Sequence, residues 1–86
     1  MIVHLHNGFK KRYKKLKGSE KKRFKERRDL FLVDPLNTIL NNHALTGKYQ
    51  GYRSINITGD LRVLYKETGE DEVVFVTVDT HSNLYG

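Results

Sequence analysis

Residues 52–78 read YRSINITGDLRVLYKETGEDEVVFVTV. Three strand-like runs, Tyr52–Ile57, Leu61–Lys66 and Val73–Val78, are separated by TGD and ETGEDE. Both spacers carry glycine where a hairpin turn accepts it, so the segment predicts three consecutive antiparallel strands. The side-chain period of two then makes the register decidable. With Thr58-Gly59-Asp60 as a three-residue loop, Ile57 opposes Leu61, Ile55 opposes Val63 and Arg53 opposes Tyr65. The apolar residues gather on one face. A two-residue loop would set Arg62 opposite Ile55 and mix the faces. In the last strand Val74, Val76 and Val78 are expected on the core face. Phe75, Thr77, Asp79 and, by continuation, His81 are expected on the open one. That open face also collects Tyr52, Ser54, Asn56, Arg62, Leu64 and Lys66, with Asp60 at the hairpin corner.

Upstream, residues 2–6 (IVHLH) alternate as a short strand. Asn7 is a plausible helix cap, and Phe9, Tyr13 and Leu16 recur on one helical face. Gly18 breaks this first helix. Ser19 can cap a second, with Glu20 favourably placed near its N-terminus. Phe24 and Phe31 share one face of it, extended by Leu30 and Leu32. Asp34-Pro35 ends it, because proline biases the preceding residue away from the helical region. Residues 36–51 read as a polar connection holding Leu36, Ile39, Leu40 and Leu45. The expected order is β-α-α-β-β-β in a single domain over residues 1–86. The class is α+β, a twisted, largely antiparallel sheet with two N-terminal helices on one face.

The 86 residues contain no cysteine, which excludes a disulfide framework and a thiolate metal site. No apolar run approaches the roughly 18–20 residues of a membrane span, and the N-terminus lacks signal-peptide features. A cytoplasmic protein with no membrane partner is expected. The net charge of +6 is unevenly spread. Residues 1–28 hold twelve Lys/Arg against Glu20 and Glu26, whereas residues 29–86 hold four Lys/Arg against eight Asp/Glu. Such a basic block, with Lys10, Lys14, Lys21 and Arg28 in it, suits a polyanion or an acidic protein; a solvated helical face is the plain alternative.

No phosphate-binding glycine loop, metal-ligand spacing or nucleophile elbow is present. His4 and His6 share a strand face but lack a third ligand nearby in sequence, so no metal and no cofactor are expected. What remains is His43, His81, Asp60, Arg62 and tyrosines near a basic surface. Taken singly, each has an ordinary reading: a loop histidine, an exposed histidine, a turn aspartate, a solvated arginine, a packing tyrosine. As a set they suit RNA cleavage. One group takes the proton of a ribose 2′-hydroxyl, another protonates the departing 5′-oxygen, and a cation stabilises the phosphate. Histidine titrates near working pH and arginine offers a charged fork. Tyrosine can stack on a splayed base.

Residues 43–66 (HALTGKYQGYRSINITGDLRVLYK) and 80–86 (THSNLYG) resemble the RelE/ParE superfamily of type II toxins, most nearly its YafQ-like branch. Members carry H-x-L-x-G-x-[WY]-x-G-[YF]-R, then a hairpin with Asp at its turn, and close on T/S-H-x-x-L-[FY]. The match spans about half the chain. It implies the RelE-type fold and a ribosome-dependent mRNA endonuclease inhibited by a RelB- or DinJ-like antitoxin, monomeric when free of it. By position, His43, Asp60 and His81 match catalytic residues, and Tyr85 matches a terminal aromatic that is Phe in some members. Arg62 matches an arginine that holds the scissile phosphate in RelE-like members. Asn56 stands where YafQ-like enzymes can have a further histidine, and Thr77 where they can have an arginine. His81 is expected as the main proton-transfer group, with His43 or Asp60 as its partner. Arg62 is expected to stabilise the transition state, Asn56 to hydrogen-bond RNA, and Lys48 and Arg53 to make weaker RNA contacts. Two other classes compete: a ParE-like toxin that blocks DNA gyrase, which would share the fold and need no acid–base pair, and a non-catalytic basic RNA- or ribosome-binding module, which the same basic block would serve. The His43/His81 pairing favours the nuclease.

Overall fold

A computed structural model describes residues 1–86. Strand β1 (Ile2–Leu5) leads into helices α1 (Asn7–Lys14) and α2 (Gly18–Val33). Strands β2 (His43–Ala44), β3 (Arg53–Asn56), β4 (Leu61–Gly69) and β5 (Glu72–Thr80) follow, and helix α3 (His81–Tyr85) closes the chain. The five strands form one sheet in the order β1-β5-β4-β3-β2. β1 runs parallel to β5; every other pairing is antiparallel. The class is the mixed α+β architecture expected, enlarged by β2 and α3.

The β3–β4 register is the one expected, with Arg53 opposite Tyr65 and Ile55 opposite Val63. The three-residue loop is held by side chains rather than by glycine. Thr58 Oγ1 accepts from the backbone N–H of Leu61 at 3.0 Å. The Arg62 guanidinium donates to the carbonyls of Thr58, Leu61 and Gly59 at 3.0–3.1 Å. In the β4–β5 turn it is Asp71, not Gly69, that takes a positive φ of 58°, a conformation aspartate tolerates better than most residues.

The β5 assignment needs correction. Leu64 pairs with Thr77 but Tyr65 pairs with Phe75, so Val76 is an extra, bulged residue. A bulge reverses the parity of the strand. Before it, Val73 and Phe75 face the core; after it, Val78 does, while Val74 and Val76 are only half-buried. Phe75, expected on the open face, is instead the hub of the core. Its ring centroid lies 5.7–6.2 Å from those of Phe9, Phe24, Phe31 and Tyr65. Such tilted and edge-on aromatic packing adds to the burial of the rings themselves. Ile55, Ile57, Leu61 and Val63 complete the layer beneath the helices.

The helix boundaries differ in detail. The cap of α1 is His6, whose Nδ1 accepts from Gly8 N–H at 3.0 Å, and not Asn7. α2 is capped two residues earlier than Ser19: Lys17 is the cap residue, its N–H donates to Glu20 Oε1 at 2.8 Å, and Gly18, expected to break the first helix, is instead the first residue of the second. Asp34 ends α2 as expected. Residues 36–51 are more than a polar connection. They hold short 3₁₀ turns at Thr38–Leu40 and Gly47–Tyr49, and between them β2. At the other end, β5 does not continue through His81. Thr80 Oγ1 accepts from Asn83 N–H at 3.2 Å and starts α3 instead.

The hub role of Phe75 is measurable. Phe75→Ala should lower the free energy of unfolding in urea by about 3–5 kcal/mol. Val76→Ala, at the half-buried bulge, should cost about 1 kcal/mol. Equal losses would show that the parity assigned to β5 is wrong.

Candidate active site

One cleft of about 460 Å³ opens on the sheet face away from α1 and α2, and His43, Arg62, His81 and Tyr85 all line it. These are four of the five residues expected to act in catalysis. They arrive from three elements. His43 comes from β2, Arg62 from β4, and His81 and Tyr85 from successive turns of α3. The floor is Ser54, which pairs with His43 across β2–β3 and is only 1% exposed. Its hydroxyl has no hydrogen-bond partner in the protein. Ser54 was legible as an open-face residue, but nothing in its sequence neighbourhood marked it as part of a site.

His43 is fixed in one tautomer. Its Nδ1 lies 2.7 Å from the carbonyl oxygen of Asn41. A carbonyl only accepts, so Nδ1 carries a proton and Nε2 of the neutral ring is left as a bare acceptor. His43 is itself held by its neighbour. Asn42 Nδ2 donates to Pro35 O at 2.9 Å and lies 2.7 Å from Tyr65 Oη, and Asn42 Oδ1 accepts from Arg53 Nε at 2.9 Å. Arg53 therefore sits on the helix side of the sheet, away from the cleft, and anchors the segment that delivers His43. His81 is held by its backbone, whose N–H donates to Asp60 O at 2.8 Å. Its ring is free of hydrogen bonds and lies 4.8 Å from the Tyr85 ring.

The charge in the cleft follows from who pairs with whom. Arg62 stands opposite Asp79 in the β4–β5 register. Asp79 is already engaged by the Arg12 guanidinium, by Thr80 N–H and by Asn83 Nδ2. Arg62 donates only to turn carbonyls and has no carboxylate within 4.0 Å. Its positive charge remains uncompensated beside two histidines, an arrangement that attracts an anion.

The remaining expected residues lie elsewhere. Asp60 is at the exposed hairpin corner and meets the site through its carbonyl rather than its carboxylate. Asn56 lines a separate cleft of about 220 Å³ with Arg23 and Arg27. Lys48 is on the 3₁₀ turn beside Tyr49. Lys10, Lys14 and Arg28 rim an apolar groove of about 380 Å³ floored by Phe9, Tyr13 and Phe24. Lys21 lies over the Tyr13 ring at 5.6 Å. No group of three or more His, Asp or Glu side chains is gathered closely enough to hold a metal ion. Asn42→Ala should lower stability in urea by about 1–3 kcal/mol, because it strands the Tyr65 hydroxyl and the Arg53 guanidinium. An unchanged midpoint would show that the anchor is dispensable.

The comparisons bear on this geometry. The model of a family described as "Bacterial toxin of type II toxin-antitoxin system, YafQ" matches residues 1–86. No curated protein sequence matches the chain significantly. Among solved structures, YafQ from E. coli strain BL21(DE3) is similar with a TM-score of 0.81 and 23% identity over 98% of this chain and 97% of that one. The E. coli DinJ-YafQ toxin–antitoxin complex gives 0.79 and 24% over 98% and 96%. The RelB-RelE antitoxin–toxin complex from Methanococcus jannaschii gives 0.73 and 24% over 96% and 95%. At these identities the likeness speaks for the fold, and the family model, matching every residue, speaks for kinship. The chain belongs to the YafQ family of bacterial toxins of type II toxin–antitoxin systems.

Proposed function

We propose that this toxin is an endoribonuclease that cuts mRNA on the ribosome, using side chains alone for the acid, the base and the cation. The observation that carries the reading is the convergence of His43, Arg62, His81 and Tyr85 from three elements on one cleft. The bare Nε2 of His43 suits the base that takes the 2′-hydroxyl proton. The freed oxygen attacks the adjacent phosphorus, and the 5′-oxygen leaves with a proton from His81. A cyclic phosphate and a 5′-hydroxyl end result. Arg62 faces the charge that builds on the phosphate, and Tyr85, 41% exposed, offers its ring to a base. Asp60, outside the cleft, is the weaker candidate for the second proton-transfer group.

The partners follow from the same reading. Relatives of this fold are known in complex with DinJ and with RelB, and we infer an antitoxin of that kind here, with the free toxin a cytoplasmic monomer. The groove rimmed by Lys10, Lys14 and Arg28 suits an acidic, amphipathic segment that folds on binding. The same cations suit ribosomal RNA phosphates, so an antitoxin seated there would also mask the ribosome contact.

The test is a cell-free translation reaction with mRNA ends mapped by primer extension. Cuts within codons and 5′-hydroxyl ends are expected. His81→Ala should reduce cutting by at least about 100-fold with its unfolding midpoint unchanged. Cutting at the wild-type rate would remove His81 from the chemistry. Intact mRNA together with blocked gyrase supercoiling would move the protein to the gyrase-inhibiting class. The basic groove has its own readout. Replacing Lys10, Lys14 and Arg28 by Gln should flatten the slope of log ribosome affinity against log salt by about 0.7–0.9 per lost phosphate contact. An unchanged slope would place the ribosome contact elsewhere.

A further inference from the structure

A row of aromatic rings leaves the cleft and crosses the open face. His81 lies 4.8 Å from Tyr85, Tyr85 lies 5.8 Å from Tyr49, and Tyr49 lies 6.1 Å from Tyr52. Lys48 Nζ stands 5.0 Å from the Tyr49 ring centroid, and Lys66 Nζ stands 4.4 Å from that of Tyr52. We propose that this row is a stacking track for successive bases of single-stranded RNA, with Lys48 and Lys66 as its phosphate contacts. The proposal rests on the nuclease reading of the cleft and extends the substrate beyond the scissile nucleotide.

Packing alone does not explain the row. Tyr65 shows what a packed tyrosine looks like here: 3% exposed, with its hydroxyl within hydrogen-bond distance of Asn42. Tyr49 and Tyr52 are half-buried, Tyr85 is exposed, and none of the three hydroxyls has a partner in the protein. The lysines are equally unclaimed, since neither has a carboxylate within 4.0 Å. An ammonium over an aromatic face is attracted to the ring, and it can turn to a phosphate without breaking an ion pair. Arg62 and Lys66 lie four residues apart on β4, hence on one face and about 13 Å apart along the strand. Cations therefore flank the rings at both ends. Interleaved rings and cations are the requirement for binding a single strand without regard to sequence, because every base has a stacking face. A duplex keeps its bases stacked on each other and could use only the cations.

The test is fluorescence anisotropy with a short single-stranded RNA that is 2′-O-methylated throughout and so cannot be cut. Tyr52→Ala should weaken binding by about tenfold, while Tyr52→Phe, which keeps the ring, should bind like wild type. Lys66→Gln should flatten the salt slope by about 0.7. Wild-type affinity in Tyr52→Ala would overturn the track. So would an equal loss in Tyr52→Ala and Tyr52→Phe, which would show the ring to be irrelevant. The two readings fail differently. If the nuclease reading is wrong, wild type leaves mRNA uncut while the Tyr52 dependence of binding persists. If the track is wrong, cutting persists and Tyr52→Ala binds normally.

Discussion

One extra residue, Val76, lets a single strand serve two surfaces. Upstream of it the odd positions Val73 and Phe75 point beneath the helices; downstream Val78 does, and Thr77 and Asp79 are released to the other face. Phe75 is then free to meet rings from α1, α2 and β4. A regular strand would force a choice. Either Phe75 would leave the core, or Val78 would point to solvent where Asp79 now caps the approach to α3. The bulge joins the packing of one face to the polar character of the other, and it sets the phase in which β5 delivers His81 and Tyr85 to the cleft.

The second constraint is electrostatic. Asp79 is the natural neutraliser of Arg62, but its carboxylate is drawn to Arg12 on α1 and to the start of α3. A carboxylate that accepts several donors at once is a poor partner for a further cation. Arg12 comes from the basic helical region and yet bears on the cleft, by occupying the anion that would cancel its charge. The lopsided charge of the sequence thus has a use besides attraction at a distance: it decides which arginine stays unpaired.

The parts legible in the sequence were those in which pattern and chemistry agreed. Ile55, Ile57, Leu61 and Val63 alternate cleanly across a turn of defined length, so the β3–β4 register and the face of Arg62 could be read directly. The phase of β5 could not. Residues 73–78 are apolar at nearly every position, and a run apolar on both faces hides a bulge. β2 has two residues and α3 has five, too few to show any period. A signal for α3 was nevertheless present: Thr80 stands three residues before Asn83, in the place of a helix cap. Both histidines were found as residue types, but their mutual placement was not, since it depends on these two short elements. Arg53 shows the converse case. Its face was readable from its position opposite Tyr65, but its partner Asn42 lies in a loop without periodicity.

β1 is parallel to β5, and Leu5 lies beside Phe75. A chain made from its N-terminus at about 5–20 residues per second therefore holds Leu5 ready for roughly 4–14 s before its neighbour exists. During that interval Phe9, Phe24 and Phe31 lack the Phe75 ring on which all three pack in the folded protein. Pairing of the first strand with the last is a late event, because so long a loop must close. α3, which brings His81 and Tyr85 to the cleft, follows β5 in the chain. In the nuclease reading this order means that a protein directed against translation holds an incomplete working surface until all five strands have been made.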